Sequence, residues 1–180
     1  MNLPNKLTCF RMLLVPAVVL LLLLGTQPLH DWLAGGLFVI ASLTDLIDGK
    51  IARKYNMVTN FGKLMDPLAD KLLVCSVLIC LVSLGRAPVW ATLIVVAREF
   101  AISGIRLIAA ERQMVIAASR LGKLKTNFQT FWCIALLFPL YWGPWKTLTA
   151  VLMIAAVLLT VLSFAEYVKN NVSILKESGQ

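Results

Sequence analysis

Charge is scarce in this chain. Asp, Glu, Lys and Arg make up 14% of its 180 residues, where a soluble domain carries about 25%. That shortfall argues against an ordinary solvated surface. Histidine is nearly absent: His30 stands alone, on a short connection away from the acidic residues discussed below, and is given no catalytic role. The four cysteines, Cys9, Cys75, Cys80 and Cys133, include no CxxC pair and no histidine at zinc-ligand spacing. They are expected to be free, reduced packing residues rather than metal ligands. No internal repeat, low-complexity tract or linker breaks the chain, so a single domain over 1–180 is expected. A leader cleavage site is missing as well. Lys6 and Arg11 form a basic start and 12–24 an apolar core, but Gly25-Thr26-Gln27-Pro28 offers no small-residue cleavage signal, so the segment reads as an uncleaved first span.

What is present is apolar. Hydrophobic residues make up 59% of the sequence, and the mean hydropathy is +0.83. The solvent implied is a bilayer. The formal charge of +8 then suits cytoplasmic loops against anionic lipid rather than nucleic acid. Six apolar segments fall at 12–27, 32–48, 65–84, 88–109, 127–142 and 147–167, with the first helix expected to begin before Arg11 to reach spanning length. Pro4 suits a helix start, and Pro16 and Pro139, inside apolar runs, predict kinks. The expectation is an all-α integral membrane protein with six transmembrane helices. Three short connections, 25–31, 85–87 and 142–146, alternate with longer polar stretches around 49–64 and 110–126. The short ones carry only Arg86 and Lys146; every other Lys and Arg lies on or toward the opposite side. That bias places both termini in the cytoplasm of a multi-pass protein of the cell membrane. Trp32, Trp90, Trp142 and Trp145 lie near the outer span ends, as an aromatic belt would.

The chemistry is concentrated in Asp45-Leu-Ile-Asp48-Gly49-Lys-Ile-Ala52-Arg53 and Gly62-Lys-Leu-Met-Asp66-Pro-Leu-Ala-Asp70. On a helix, Asp45, Asp48, Gly49 and Ala52 share one face; Gly62, Asp66 and Asp70, four apart, share another. A charge within a membrane helix costs about 3 kcal/mol or more, and four carboxylates would repel one another besides. Divalent cations remove both costs, and oxygen-only ligands favour Mg²⁺ or Mn²⁺ at the cytoplasmic edge. Small Gly49, Ala52 and Gly62 leave room for a group approaching the backbone, or for tight helix packing. Arg53 suits a phosphate, or an ordinary positive-inside anchor. Asp48 before Gly49 and Asp66 before Pro67 would, taken singly, also fit helix caps. A cation transporter with an aspartate-lined path is the alternative from another class; against it, all four lie toward one edge and only Glu99 is deeper.

The pattern D-x2-D-G-x2-A-R-x8-G-x3-D-x3-D, met at Asp45, Asp48, Gly49, Ala52, Arg53, Gly62, Asp66 and Asp70, resembles the signature of the CDP-alcohol phosphotransferase family. The segments Leu3-Pro-Asn-Lys-Leu-Thr8 with Arg11, Asp66-Pro-Leu-Ala-Asp-Lys71, Ala97-Arg-Glu-Phe100 with Ser103-Gly-Ile-Arg106, and Leu121-Gly-Lys-Leu-Lys-Thr126 bring the resemblance closest to bacterial members that use glycerol 3-phosphate. Cardiolipin synthases of this type and inositol-phosphate transferases share the signature, so their acceptors remain alternatives. The resemblance implies that Asp45, Asp48 and Asp66 bind a pair of metal ions, that Asp70 is metal neighbour and general base, and that Gly49, Ala52, Arg53 and Gly62 hold the cytidine diphosphate of CDP-diacylglycerol. It also implies a homodimer, for which Gly35-Gly36 offers a close-packing surface.

Glycerol 3-phosphate is largely a dianion and needs cations. Arg98 lies within the fourth span, roughly 16 Å from its cytoplasmic end, where a charge is functional by default. Arg106, Lys123 and Lys125 complete the expected acceptor-phosphate set, with Arg120 and Thr126 as secondary candidates; lipid headgroup contact is the alternative for Arg120, Lys123 and Lys125. Arg98 is expected to find a partner other than Glu99, because adjacent helical residues diverge. Glu166 has no assigned role.

Overall fold

The computed structural model describes residues 3–25, 28–54, 60–111, 119–138, 140 and 142–171, and every regular element among them is helical. Within the helices, the side chains of 3–6, 45–54, 60–64, 66 and 111 lie outside the described residues. The helices are α1 Leu3–Leu24, α2 Leu29–Lys54, α3 Asn60–Ser83, α4 Val89–Glu111, α5 Arg120–Leu137 and α6 Gly143–Asn170.

Helix α1 reaches back beyond Arg11, as length demanded, and Pro4 sits in its first turn, where a missing N–H costs nothing. Pro16 inside α1 and Pro67 inside α3 leave those helices continuous, each forfeiting one backbone bond. The fifth helix departs from expectation at both ends. Its last i→i−4 bond runs from the Phe138 N–H to the Ile134 carbonyl at 3.2 Å. Pro139, expected as a kink within a span, lies outside the described residues and beyond the end of α5; a proline disfavours helical backbone at the residue before it. At the other end α5 starts at Arg120 rather than near 127. Ser119 caps it, its Oγ accepting the Gly122 N–H at 3.0 Å and its carbonyl the Lys123 N–H at 3.2 Å. Lys123, Lys125 and Thr126 are therefore helical. Helix α3 ends in a Schellman motif. Gly85, at φ 69°, donates to the Val82 carbonyl at 2.9 Å, and Arg86 N–H to that of Leu81 at 2.8 Å. Glycine supplies the left-handed step this stop requires.

The chain groups into two compact units, residues 1–87 with 133–142, and 88–132 with 143–180. In the first, α1 packs on both α2 and α3. Val18 and Leu22 of α1, Ala34, Phe38 and Ala41 of α2, and Leu73, Val77 and Leu81 of α3 are buried. These positions recur at three and four, the stripe that lets helices meet. Gly35 serves this unit: a Cβ there would come 2.8 Å from the Phe138 ring, which in turn lies 5.0 Å from the Trp32 ring centroid. Of the two glycines expected to face a second chain, Gly35 is thus engaged within its own, while a Cβ on Gly36 would meet nothing within 4 Å. In the second unit α4 packs on α6, where Ile102, Ile105 and Tyr167 form a buried cluster flanked by Phe164 and Val168.

Among the described residues, two segments are long and apolar enough to cross a membrane, Leu7–Leu24 in α1 and Gly143–Asn170, and only 33% and 22% of their most apolar stretches is buried within the protein. The core helix of a soluble protein would be largely covered. Here Val151, Ile154, Leu158 and Leu162 of α6 remain exposed, at helical spacing. Leaving such a stripe in water forgoes about 25 cal/mol for every Å² of it, so the protein is membrane-associated. Helices α3, α4 and α5 carry more charge, among them Asp66, Asp70, Arg98, Arg106, Lys123 and Lys125.

Candidate active site

The acidic signature was expected to straddle span ends and a polar stretch. Its eight named residues all fall within helices: α2 continues to Lys54 and α3 begins at Asn60. Asp45, Asp48, Gly49 and Ala52 therefore hold one register face of α2, and Gly62, Asp66 and Asp70 one of α3. The two helices touch within the first unit, and both pack on α1. The side chains of Asp45, Asp48, Gly49, Ala52, Arg53, Gly62 and Asp66 lie outside the described residues. Asp70 is half-buried and has an interaction partner, and its neighbours Ala69 and Leu73 are buried. Among the described residues no three His, Cys, Asp or Glu side chains cluster as a metal site; Asp45, Asp48 and Asp66 have their side chains outside that set.

The cationic residues are better defined. Arg98 of α4 donates from Nη1 to Glu99 Oε1 and from Nη2 to Ser163 Oγ of α6, each at 3.1 Å. The Ser163 bond supplies the expected partner other than Glu99, but the first bond shows that Arg98 reaches its neighbour as well. A guanidinium on three methylenes can fold back, and Glu99 also accepts a hydrogen bond from Lys125 Nζ of α5. The carboxylate is thus shared by two cations from different helices. Ser163 Oγ donates its own hydrogen to the Thr160 carbonyl at 3.1 Å, leaving lone pairs for Arg98. Arg98 Nε is buried and has no hydrogen-bond partner among the described residues. Arg98 also lines, with Ile94, Ala97, Ala101, Thr160, Val161 and Phe164, an otherwise apolar groove of about 280 Å³ between α4 and α6.

Of the predicted acceptor residues, then, Arg98 and Lys125 come together through Glu99. Arg106 lies two turns further along α4, about 12 Å away at 1.5 Å per residue, with its guanidinium carbon 5.8 Å from the Tyr167 ring centroid. Lys123 is exposed; two residues from Lys125, it faces away from it on the helix. Arg120 is exposed, and Thr126 Oγ1 donates back to the Gly122 carbonyl at 3.1 Å. Glu166 keeps a buried Oε2 with no hydrogen-bond partner among the described residues.

Two residues gain weight that the sequence did not give them. Glu99, read only as a deeper carboxylate, is 8% exposed and joins the cations. Arg11, with Thr8 one helical turn before it, is 0% exposed in α1, the helix that packs on both acidic helices. An arginine and a threonine three apart in an apolar run were a readable signal for a buried polar face.

An apolar helical protein, membrane-associated, with seven signature residues and Arg53 set on two touching helices, is a membrane enzyme of the CDP-alcohol type. The chain belongs to the CDP-alcohol phosphatidyltransferase family, which it matches over residues 1–162. It is 43% identical to the CDP-diacylglycerol--glycerol-3-phosphate 3-phosphatidyltransferase of Bacillus subtilis, over 99% of both chains. It is 47% identical to the protein of the same name from Rickettsia typhi, over 72% of each.

Proposed function

We propose that this enzyme transfers the phosphatidyl group of CDP-diacylglycerol to glycerol 3-phosphate, giving phosphatidylglycerophosphate and CMP. The observation that carries the reading is the chain-long similarity to relatives bearing that activity in their names; the helical register of the aspartates supplies the chemistry.

Asp45, Asp48, Asp66 and Asp70 would hold two Mg²⁺ or Mn²⁺ ions, which their donor chemistry fits: carboxylate oxygens on consecutive turns of touching helices, with no His or Cys on those faces. When bound, such ions offset the charge of the diphosphate. Asp70 accepts the proton of the primary hydroxyl of glycerol 3-phosphate. That oxygen bonds to the phosphorus bearing diacylglycerol, the bond from this phosphorus to the bridging oxygen breaks, and CMP departs with the electron pair. Small Gly49, Ala52 and Gly62 leave space for the cytidine diphosphate, and Arg53 pairs with its phosphate. Arg98 and Lys125 take the acceptor phosphate, with Arg106 and Lys123 adding positive potential.

Six spans with both termini cytoplasmic place this site at the inner face of the cell membrane, where a lipid donor and a water-soluble acceptor meet. The enzyme acts as a homodimer. An acceptor panel tests the reading. With CDP-diacylglycerol and Mg²⁺ or Mn²⁺ fixed, CMP release should be fastest with glycerol 3-phosphate. Silence with it, alongside turnover with phosphatidylglycerol or inositol phosphate, would reassign the acceptor.

A further inference from the structure

We propose that Glu99 is a positioning residue of the acceptor site, its buried carboxylate holding Arg98 and Lys125 together for the phosphate of glycerol 3-phosphate; this rests on the acceptor reading above. Glu99 is 8% and Lys125 1% exposed. Their contact ties α5 to α4, and the Arg98–Ser163 bond at 3.1 Å ties α4 to α6, so the arrangement draws on every helix of the second unit. Two cations this close repel in a poorly polarisable setting, and a carboxylate between them holds them at one spot. One negative charge against two positive ones still leaves an excess of one, so the cluster keeps its attraction for an anion.

Arg98 shows how the tether leaves a ligand position open. Glu99 and Ser163 occupy its Nη1 and Nη2. The buried Nε–H is left without a partner among the described residues. A donor hidden in this way is unfavourable unless something accepts from it, and a phosphate oxygen is the acceptor this chemistry suits best. A carboxylate that merely stabilised the fold would show a different pattern on removal, disturbing use of both substrates alike.

The test uses the purified full-length enzyme in mixed micelles, following CMP release against each substrate in turn. In E99Q the amide keeps an oxygen and the shape but loses the charge. The KM for glycerol 3-phosphate should rise about tenfold, the scale of one charge-assisted hydrogen bond, while that for CDP-diacylglycerol stays within about twofold. E99D, which keeps the charge one methylene short, should show a smaller rise in the same KM and serves as the second arm if E99Q fails to fold. Adding K125A to E99Q should raise the acceptor KM no further than K125A alone, because both act at one point. An unchanged acceptor KM in E99Q and E99D, or equal rises for both substrates, would overturn the proposal while leaving the acceptor assignment intact. Wild-type enzyme inert toward glycerol 3-phosphate would overturn both.

Discussion

Replacing Arg86 should destabilise the first unit far more than replacing its partner. Arg86 Nη2 donates to Asp31 Oδ2 at 2.6 Å, with the two side chains 15% and 3% exposed. The pair links the first turn of α2 to the residue that follows the glycine stop of α3. Removing one member of a buried ion pair costs about 3–5 kcal/mol, because the other charge is stranded. In R86A the stranded group is the Asp31 carboxylate, almost fully enclosed. Its place in the first turn of α2 returns about 0.3–1 kcal/mol through the helix dipole, so a net loss of roughly 2–4 kcal/mol is expected. In D31N the stranded group is a long guanidinium with more solvent access, which can swing outward, and about 1 kcal/mol is expected. At roughly 2–4 °C for each kcal/mol in a protein of this size, R86A should lower the midpoint of thermal aggregation in detergent by about 4–16 °C and D31N by about 2–4 °C. The double variant D31N/R86M, apolar at one end and neutral at the other, should recover most of the loss. Equal shifts in the two single variants, or no recovery in the double, would refute the burial argument.

Asp70→Asn should lower turnover by about 10²–10⁴-fold, the usual scale of a general base, while CDP-diacylglycerol protection against heating persists; retained turnover would remove Asp70 from that role. Arg98→Ala should raise the KM for glycerol 3-phosphate more than that for the lipid donor, and an unchanged acceptor KM would return Arg98 to a structural role. Gly35→Ala places a methyl 2.8 Å from the Phe138 ring, and overpacking of that kind costs about 1–3 kcal/mol. Its thermal midpoint should fall, and pairing it with Phe138→Leu should restore it; an undisturbed G35A would show that the ring yields freely.

The acidic signature was legible because its intervals of three, four and seven encode a helical face whatever surrounds them. Helix extents were less so. The stretch 49–64 reads as polar connection, yet α2 runs to Lys54 and α3 starts at Asn60, because backbone hydrogen bonding does not require apolar side chains. Ser119 ahead of Gly122 was a readable N-cap, and it moves the start of α5 to take in Lys123 and Lys125. The Arg98–Glu99 contact was not readable, since neighbours on a helix diverge at Cβ and only a third group, Lys125, makes the folded-back geometry favourable.

Composition determined that this chain belongs with lipid, since so little charge cannot cover a water-facing surface, and the length of its apolar runs pointed to helices. The spacing of its aspartates determined which side chains share a helix face, since helical periodicity is a local property. Tertiary structure alone decided which distant cations meet one carboxylate, that Gly35 accommodates an aromatic ring of its own chain, and that Arg86 closes on Asp31. Those outcomes depend on where long side chains end once helices pack, and no local interval in the sequence specifies that.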